Sequence, residues 1–178
     1  MWIAQGAEAA RLVADHRSGW QIANWSFGIG IVCTLAGLGA FRSLLRPRLL
    51  FGYAMFAVAV ALWIADLVFR LTTTVAVADQ SARGQGIPSW YPPLARWADE
   101  GLMNAAALAA AVAVLAYAVA LRRSGRFTTW SVWWAAVTSV AIIIEVGATG
   151  DVIPLFIYLA PAGFGIDEMY RLIRAHGG

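Results

Sequence analysis

Five long apolar runs, separated by shorter polar links, constrain the fold of this chain more than any other feature. They cover approximately residues 21–41, 49–71, 102–121, 129–147 and 152–173. Each is near the length of about 20 residues that crosses a hydrocarbon core of about 30 Å as a helix. None alternates like a barrel strand, and backbone groups in lipid must be satisfied within the segment. The runs predict an all-α, polytopic integral membrane protein with about five transmembrane helices.

The composition supports this class, because 61% of the residues are hydrophobic and only 13% are charged. An ordinary soluble domain has a smaller apolar share and about twice that charged share. We therefore divide the chain into an N-terminal interfacial or flexible segment, residues 1–20, and a single transmembrane helical domain, residues 21–175. The domain contains one sizeable link, residues 72–98, which we expect to form a loop on the outer side.

The distribution of arginine predicts an orientation. All 13 basic residues are Arg, and eight lie beside the links after the first, third and fifth runs, against five on the other side. Because positive residues concentrate on the cytoplasmic side, we expect the N-terminus outside and the C-terminus in the cytoplasm. The Ala-rich, Lys-free composition is typical of a bacterial genome rich in GC, which favours the cell (plasma) membrane. The eight are Arg42, Arg46, Arg48, Arg122, Arg123, Arg126, Arg171 and Arg174, and the five are Arg11, Arg17, Arg70, Arg83 and Arg96.

Two acidic residues inside the apolar runs are the main candidates for a site, since a charge in hydrocarbon costs about 2.5 to 3.5 kcal/mol. Asp66 has two interpretations. It either forms a structural i, i+4 ion pair with Arg70 or faces a polar cavity, where it and Trp63 could receive a cation. Glu145 has no basic residue within its own helix, so it either reaches interfacial water or shares Arg70.

A proline gives a second indication of a pocket. Pro161 removes one backbone hydrogen bond and bends the last run, and small residues beside it leave room for a ligand. A packing bend without a ligand explains the same residues. We therefore predict Trp63, Asp66, Glu145 and Pro161 as ligand-binding residues, and leave any catalytic residue unassigned.

The sequence gives no indication of a cofactor site or a metal site. Cys33 is the single cysteine, and His16 and His176 both lie outside the apolar runs, so neither a thiolate metal cage nor paired haem ligands can be assembled. Nucleotide-binding glycine motifs are absent, and the arginines form no continuous stripe for nucleic acid. We expect no cofactor, no metal and no nucleic-acid partner.

Three functions remain open. The first is binding or transport of a small amphipathic or cationic molecule through an outward-facing intramembrane pocket. The second is a non-catalytic role as a membrane subunit of a larger complex, which small-residue helix faces favour. The third is a membrane enzyme that acts on a lipid or isoprenoid by carboxylic-acid proton transfer. The bilayer is the expected partner in all three.

Overall fold

The computed structural model describes residues 6–44, 49–125 and 127–176, and all regular secondary structure in these ranges is helical. This confirms the predicted all-α class. Two π-helical turns, Arg70–Thr74 and Trp97–Leu102, join α3 to α4 and α5 to α6 without a break. The α-helices are α1 (Gly6–Asp15), α2 (Arg17–Leu44), α3 (Leu50–Phe69), α4 (Val75–Ala82), α5 (Tyr91–Arg96), α6 (Met103–Ser124), α7 (Thr129–Thr149) and α8 (Leu155–His176).

Four helical segments in the described part of the chain are long and apolar enough to cross a membrane. They are Arg17–Phe41, Leu50–Ala82, Tyr91–Ser124 and Thr129–Thr149, and they contain the first four predicted runs. The fifth run forms α8, whose second half carries Asp167, Glu168, Arg171 and Arg174, so its composition alone does not mark it as a span. Nevertheless, α8 packs against α7, α2 and α6, and completes the bundle.

The link and the N-terminal segment are more ordered than the sequence predicts. The link at 72–98 is mostly helical, and the segment at 1–20 is helical from Gly6 onward, with residues 1–5 outside the described ranges. The helix Leu50–Ala82 has 33 residues, or about 50 Å, which is longer than a hydrocarbon core of about 30 Å. Helices α1, α4 and α5, which we call the cap, pack together at this end of the bundle.

Several helix ends follow local sequence signals. Thr128 is extended and its side chain accepts a hydrogen bond from the backbone N–H of Ser131, which caps the start of α7. Gly125 and Gly150 end α6 and α7 with φ of +66° and +71°. A residue with a Cβ is strained in this left-handed conformation, so glycine is the favoured terminator.

Helix α6 is the centre of the bundle and packs most extensively against α3 and α7. Its alanines allow close approach, because Ala106, Ala107 and Ala111 have no exposed surface. Gly52 of α3 permits a close contact with α6. A Cβ at this position would lie 2.7 Å from Cδ2 of Tyr117 and 3.1 Å from the backbone oxygen of Ala113. The α3–α6 pair therefore forms the rigid core on which the polar site is built.

Candidate functional site

Arg70 is the centre of a buried ion-pair network at the cap end of the bundle. Its Nε lies 2.8 Å from Oδ2 of Asp66, one helical turn earlier, and its Nη2 lies 2.6 Å from Oδ1 of Asp99. The Arg70 and Asp66 side chains are 7% and 0% exposed. Each carboxylate is therefore matched by one guanidinium contact, which offsets only part of the desolvation, since Oδ1 of Asp66 has no hydrogen-bond partner among the described residues. The network joins α3 to the π-helical turn before α6.

Both π-helical turns coincide with this network, because Arg70 begins one turn and Asp99 lies within the other. A π-helical turn inserts one extra residue and changes the direction in which the following side chains point. Such turns are frequent at functional sites, where the altered register positions a side chain. In this protein they occur in the two helices that the ion pairs connect.

Trp20 of α2 links the network to the cap. Its Nε1 donates to the backbone oxygen of Arg70 at 3.3 Å, and the Arg70 guanidinium lies 5.9 Å from the Trp20 ring centroid. One turn outward, Arg17 forms an exposed 2.7 Å ion pair with Asp79 of α4. Exposed pairs contribute little to stability, so the buried indole carries most of this connection.

Trp63 lies deep in the bundle and is surrounded by aromatic rings. Its ring centroid is 5.5 Å from that of Tyr158 on α8 and 6.4 Å from that of Phe27 on α2. The side chain has no exposed surface, and its Nε1 has no hydrogen-bond partner among the described residues. Trp63 and Asp66 are both fully buried within the part of the chain that the structure describes. Their predicted role in ligand binding stays a prediction.

Glu145 occupies a separate position on α7. Its Oε2 is buried, and within residues 6–44, 49–125 and 127–176 no group donates a hydrogen bond to it. At the C-terminal end of α7, Asn104 of α6 donates to the backbone oxygen of Gly150 at 2.6 Å. Glu145 is thus an acidic residue of α7 with one buried carboxylate oxygen, and its predicted contact with a ligand stays a prediction.

The fourth predicted residue, Pro161, lines a groove between α2 and α8. This groove has a volume of about 280 Å³, and Thr34, Gly37, Ala162 and Gly165 also line it. The small residues leave the space beside the proline, as the sequence suggests. Two of the groove's hydroxyl groups already donate to backbone oxygens, Thr34 to Gly30 at 2.9 Å and Tyr158 to Phe27 at 2.7 Å. The groove therefore presents a surface whose polar donors are satisfied.

A larger groove lies between α2 and α3, and sequence reasoning missed it. Its volume is about 350 Å³, and almost all of its lining atoms are apolar. Asn24 lines the cap end of this groove and is 1% exposed. Its Nδ2 donates to the backbone oxygen of Trp20 at 2.8 Å, whereas its Oδ1 has no partner in the described part of the chain. The other lining residues are Trp25, Gly28, Ile29, Val32, Cys33, Ile64, Leu67, Val68 and Leu71.

The opposite end of the bundle has a polar anchor that the sequence did not predict. Oδ2 of Asp167 on α8 accepts hydrogen bonds from the backbone N–H and the hydroxyl of Thr128, at 2.7 and 2.9 Å, and from the hydroxyl of Ser131 at 2.7 Å. A carboxylate at a helix N-terminus is stabilising because the free N–H groups and the helix dipole favour negative charge there. Asp167 thus fixes α8 to the start of α7.

Comparison with known protein families, curated protein sequences and solved structures gives no match.

Proposed function

We propose that this protein binds a small amphipathic molecule from the bilayer in the groove between α2 and α3. The observation that carries the proposal is an apolar groove lined at its cap end by Asn24, whose buried Oδ1 has no hydrogen-bond partner among the described residues. Ligand sites are typically concave, mostly apolar and about 300 to 1,000 Å³ in volume, with a few polar groups that orient the ligand. This groove has each of these properties.

The mobility expected of α2 supports access from the lipid. Helix α2 packs less extensively against the bundle than the α3–α6–α7 core does, and a groove flanks it toward α3 and another toward α8. Many of its large apolar side chains, such as Ile22, Trp25 and Ile29, are exposed on the outer surface of the bundle, where they face the lipid. A molecule dissolved in the bilayer can reach such a groove without crossing the cap.

In this proposal Asp66 supports the groove and does not contact the ligand, whereas its sequence position suggests a ligand-binding residue. Its charge is engaged by Arg70, so it supports the frame that holds α3 in place beside the groove. The network contacts Trp20, and Trp20 in turn accepts the hydrogen bond from Asn24 that fixes the amide. The predicted acidic residue thus acts on the ligand indirectly, through Arg70, Trp20 and Asn24.

We also propose that the cap lies outside the cell membrane and the C-terminus in the cytoplasm, as the arginine count predicts. Arg46, Arg48 and Arg126 of that count lie outside the described residues. With this orientation Asn24 is close to the outer interface, where the polar head of an amphipathic molecule is most stable. The groove would then sample molecules of the outer leaflet.

A groove-filling variant tests the proposed function. Cys33 is exposed and lines the groove, so Cys33→Phe places a ring where the ligand body would lie. Val58 is 49% exposed on α3 and does not line the groove, so Val58→Phe adds similar bulk elsewhere. Dodecanol binding to the purified protein, counted as adducts by native mass spectrometry, should fall about tenfold in Cys33→Phe and remain unchanged in Val58→Phe. Equal binding by both variants would remove the groove from the function.

A further inference from the structure

The polar end of the α2–α3 groove restricts the chemistry of the ligand's head group. We infer that the ligand is a neutral alcohol, with an apolar body in the groove and a hydroxyl that donates to Oδ1 of Asn24. This inference rests on the proposed function and names the class of molecule that the same site selects.

The orientation of the Asn24 amide is fixed by its neighbour. Its Nδ2 lies 2.8 Å from the backbone oxygen of Trp20. If the amide were rotated by a half turn, two oxygens would face each other at this distance, so the nitrogen must point to Trp20 and the oxygen must remain the acceptor. An amide oxygen with no donor in an apolar environment has lost its hydrogen bonds to water without replacement, which is unfavourable. A bound donor removes this cost.

Because the ligand comes from the bilayer, the hydrogen bond to this single acceptor determines which molecules the groove prefers. Lipid tails are as apolar as the side chains of the groove, so an alkyl body gains no hydrophobic free energy when it moves from lipid into the groove. Selectivity must come from packing and from the hydrogen bond. Hydrogen bonds inside membranes contribute about 0.6 to 2 kcal/mol, which corresponds to an affinity ratio of about three- to thirtyfold.

The groove offers one acceptor, so it binds a hydroxyl head group more favourably than an ammonium head group. A hydroxyl has one donor, which Oδ1 of Asn24 satisfies, whereas an ammonium has three donors and a charge. The lining of the groove offers almost no other polar surface. Two donors of an ammonium would therefore remain unsatisfied in an apolar environment, at a high cost. A cation is the less favourable ligand for this site.

The surroundings also disfavour an acidic head group such as a phosphate. The nearest cation in the hydrogen-bond chain, Arg70, already pairs with Asp66 and Asp99. Two carboxylates beside one guanidinium leave an excess of negative charge when both are ionised, which repels an anion. In addition, Asn24 is 1% exposed, so its amide lies just beneath the groove surface. A donor must displace the groove side chains slightly to reach it, and a hydroxyl is the smallest donor that can do so.

The experiment compares three ligands of equal chain length, dodecane, dodecanol and dodecylamine, on purified protein by native mass spectrometry. The wild type should bind dodecanol about three- to thirtyfold more tightly than dodecane, and dodecylamine no more tightly than dodecanol. Asn24→Leu keeps the side-chain size but removes the acceptor. In this variant the dodecanol-to-dodecane ratio should fall to about one while dodecane binding persists.

Each contrary outcome has a separate meaning. If dodecane and dodecanol bind the wild type equally, and Cys33→Phe weakens both, the groove accepts ordinary lipid chains and the alcohol inference is overturned while the proposed function stands. If dodecylamine binds best and Asn24→Leu leaves this preference unchanged, a cationic ligand replaces the alcohol. If Cys33→Phe weakens none of the three, the proposed function itself fails. A melting temperature of Asn24→Leu close to that of the wild type shows that the variant folds.

Discussion

Nη2 of Arg70 lies 2.6 Å from Oδ1 of Asp99, and this contact connects α3 to the π-helical turn that precedes α6. The same guanidinium holds Asp66 through Nε, so one side chain orders two acids from different helices. A planar guanidinium suits this arrangement because its donors point in fixed, divergent directions. The cap end of the bundle depends on this residue.

We predict that Arg70→Met is strongly destabilising. The variant leaves Asp66 and Asp99 buried without a cation, which typically costs about 3 to 5 kcal/mol. Arg70→Lys should recover only part of this loss, because one ammonium cannot reproduce the two directed contacts. The measurement is the midpoint of thermal unfolding in mild detergent.

A matched arginine provides the control for this prediction. The side chain of Arg96 is 72% exposed and lies 3.6 Å from Glu100, so Arg96→Met should change the free energy of unfolding by less than about 1 kcal/mol. If the two methionine variants unfold at the same temperature, the buried network does not stabilise the bundle.

We predict that Gly52→Ala is destabilising although alanine is the better helix former. The added Cβ would meet the Tyr117 ring at 2.7 Å and the Ala113 oxygen at 3.1 Å, and backbone at that distance cannot give way easily. Overpacking of this kind costs about 1 to 3 kcal/mol. Thermal unfolding in detergent should therefore occur at a lower temperature than for the wild type.

The comparison variant is Gly37→Ala in α2, where a Cβ meets nothing within 4 Å. This change should stabilise the helix by about 0.5 to 1 kcal/mol, since alanine loses less backbone entropy than glycine. A stabilising effect of both substitutions would contradict the close α3–α6 contact.

We predict that residues at the two ends of the bundle are labelled from opposite sides of the membrane. In a Cys33→Ser background, Ser89→Cys places a thiol in the exposed cap link, and Ala175→Cys places one near the exposed end of α8. A membrane-impermeant thiol reagent added to intact bacterial cells should label position 89, whereas position 175 should react only after the cells are opened. The opposite pattern would reverse the proposed orientation, and the groove would then face the inner leaflet.

Several parts of the site were accessible from the sequence because they depend on nearby residues. The spacing of Asp66 and Arg70 suits an ion pair on one helix face, and the two side chains do lie in contact. The small residues beside Pro161 suggest room, and a groove is present there. Asp99 was not predicted as the second partner of Arg70, because its position depends on how α3 and α6 pack and on the two π-helical turns.

Asn24 was missed for a related reason. An amide near the end of an apolar run usually reaches interfacial water, and nothing in the adjacent residues indicates that its oxygen is buried. The packing of α2 against α3 buries this oxygen, and the donation from Nδ2 to Trp20 leaves it without a partner in the described ranges of the chain. The cap was missed as well, because its short helices follow no single long apolar pattern. They pack against one another and bury Ala10 and Val13 in two separate clusters.

The apolar runs were sufficient to predict helices long enough to cross a membrane, because the free energy of a helix in lipid is summed over about 20 consecutive residues. Which polar atoms find partners, and where space remains between helices, follows from the packing of the bundle. These properties depend on the faces that distant helices bring together, as Arg70 and Asp99 show in the ion-pair network and Asn24 shows in the groove.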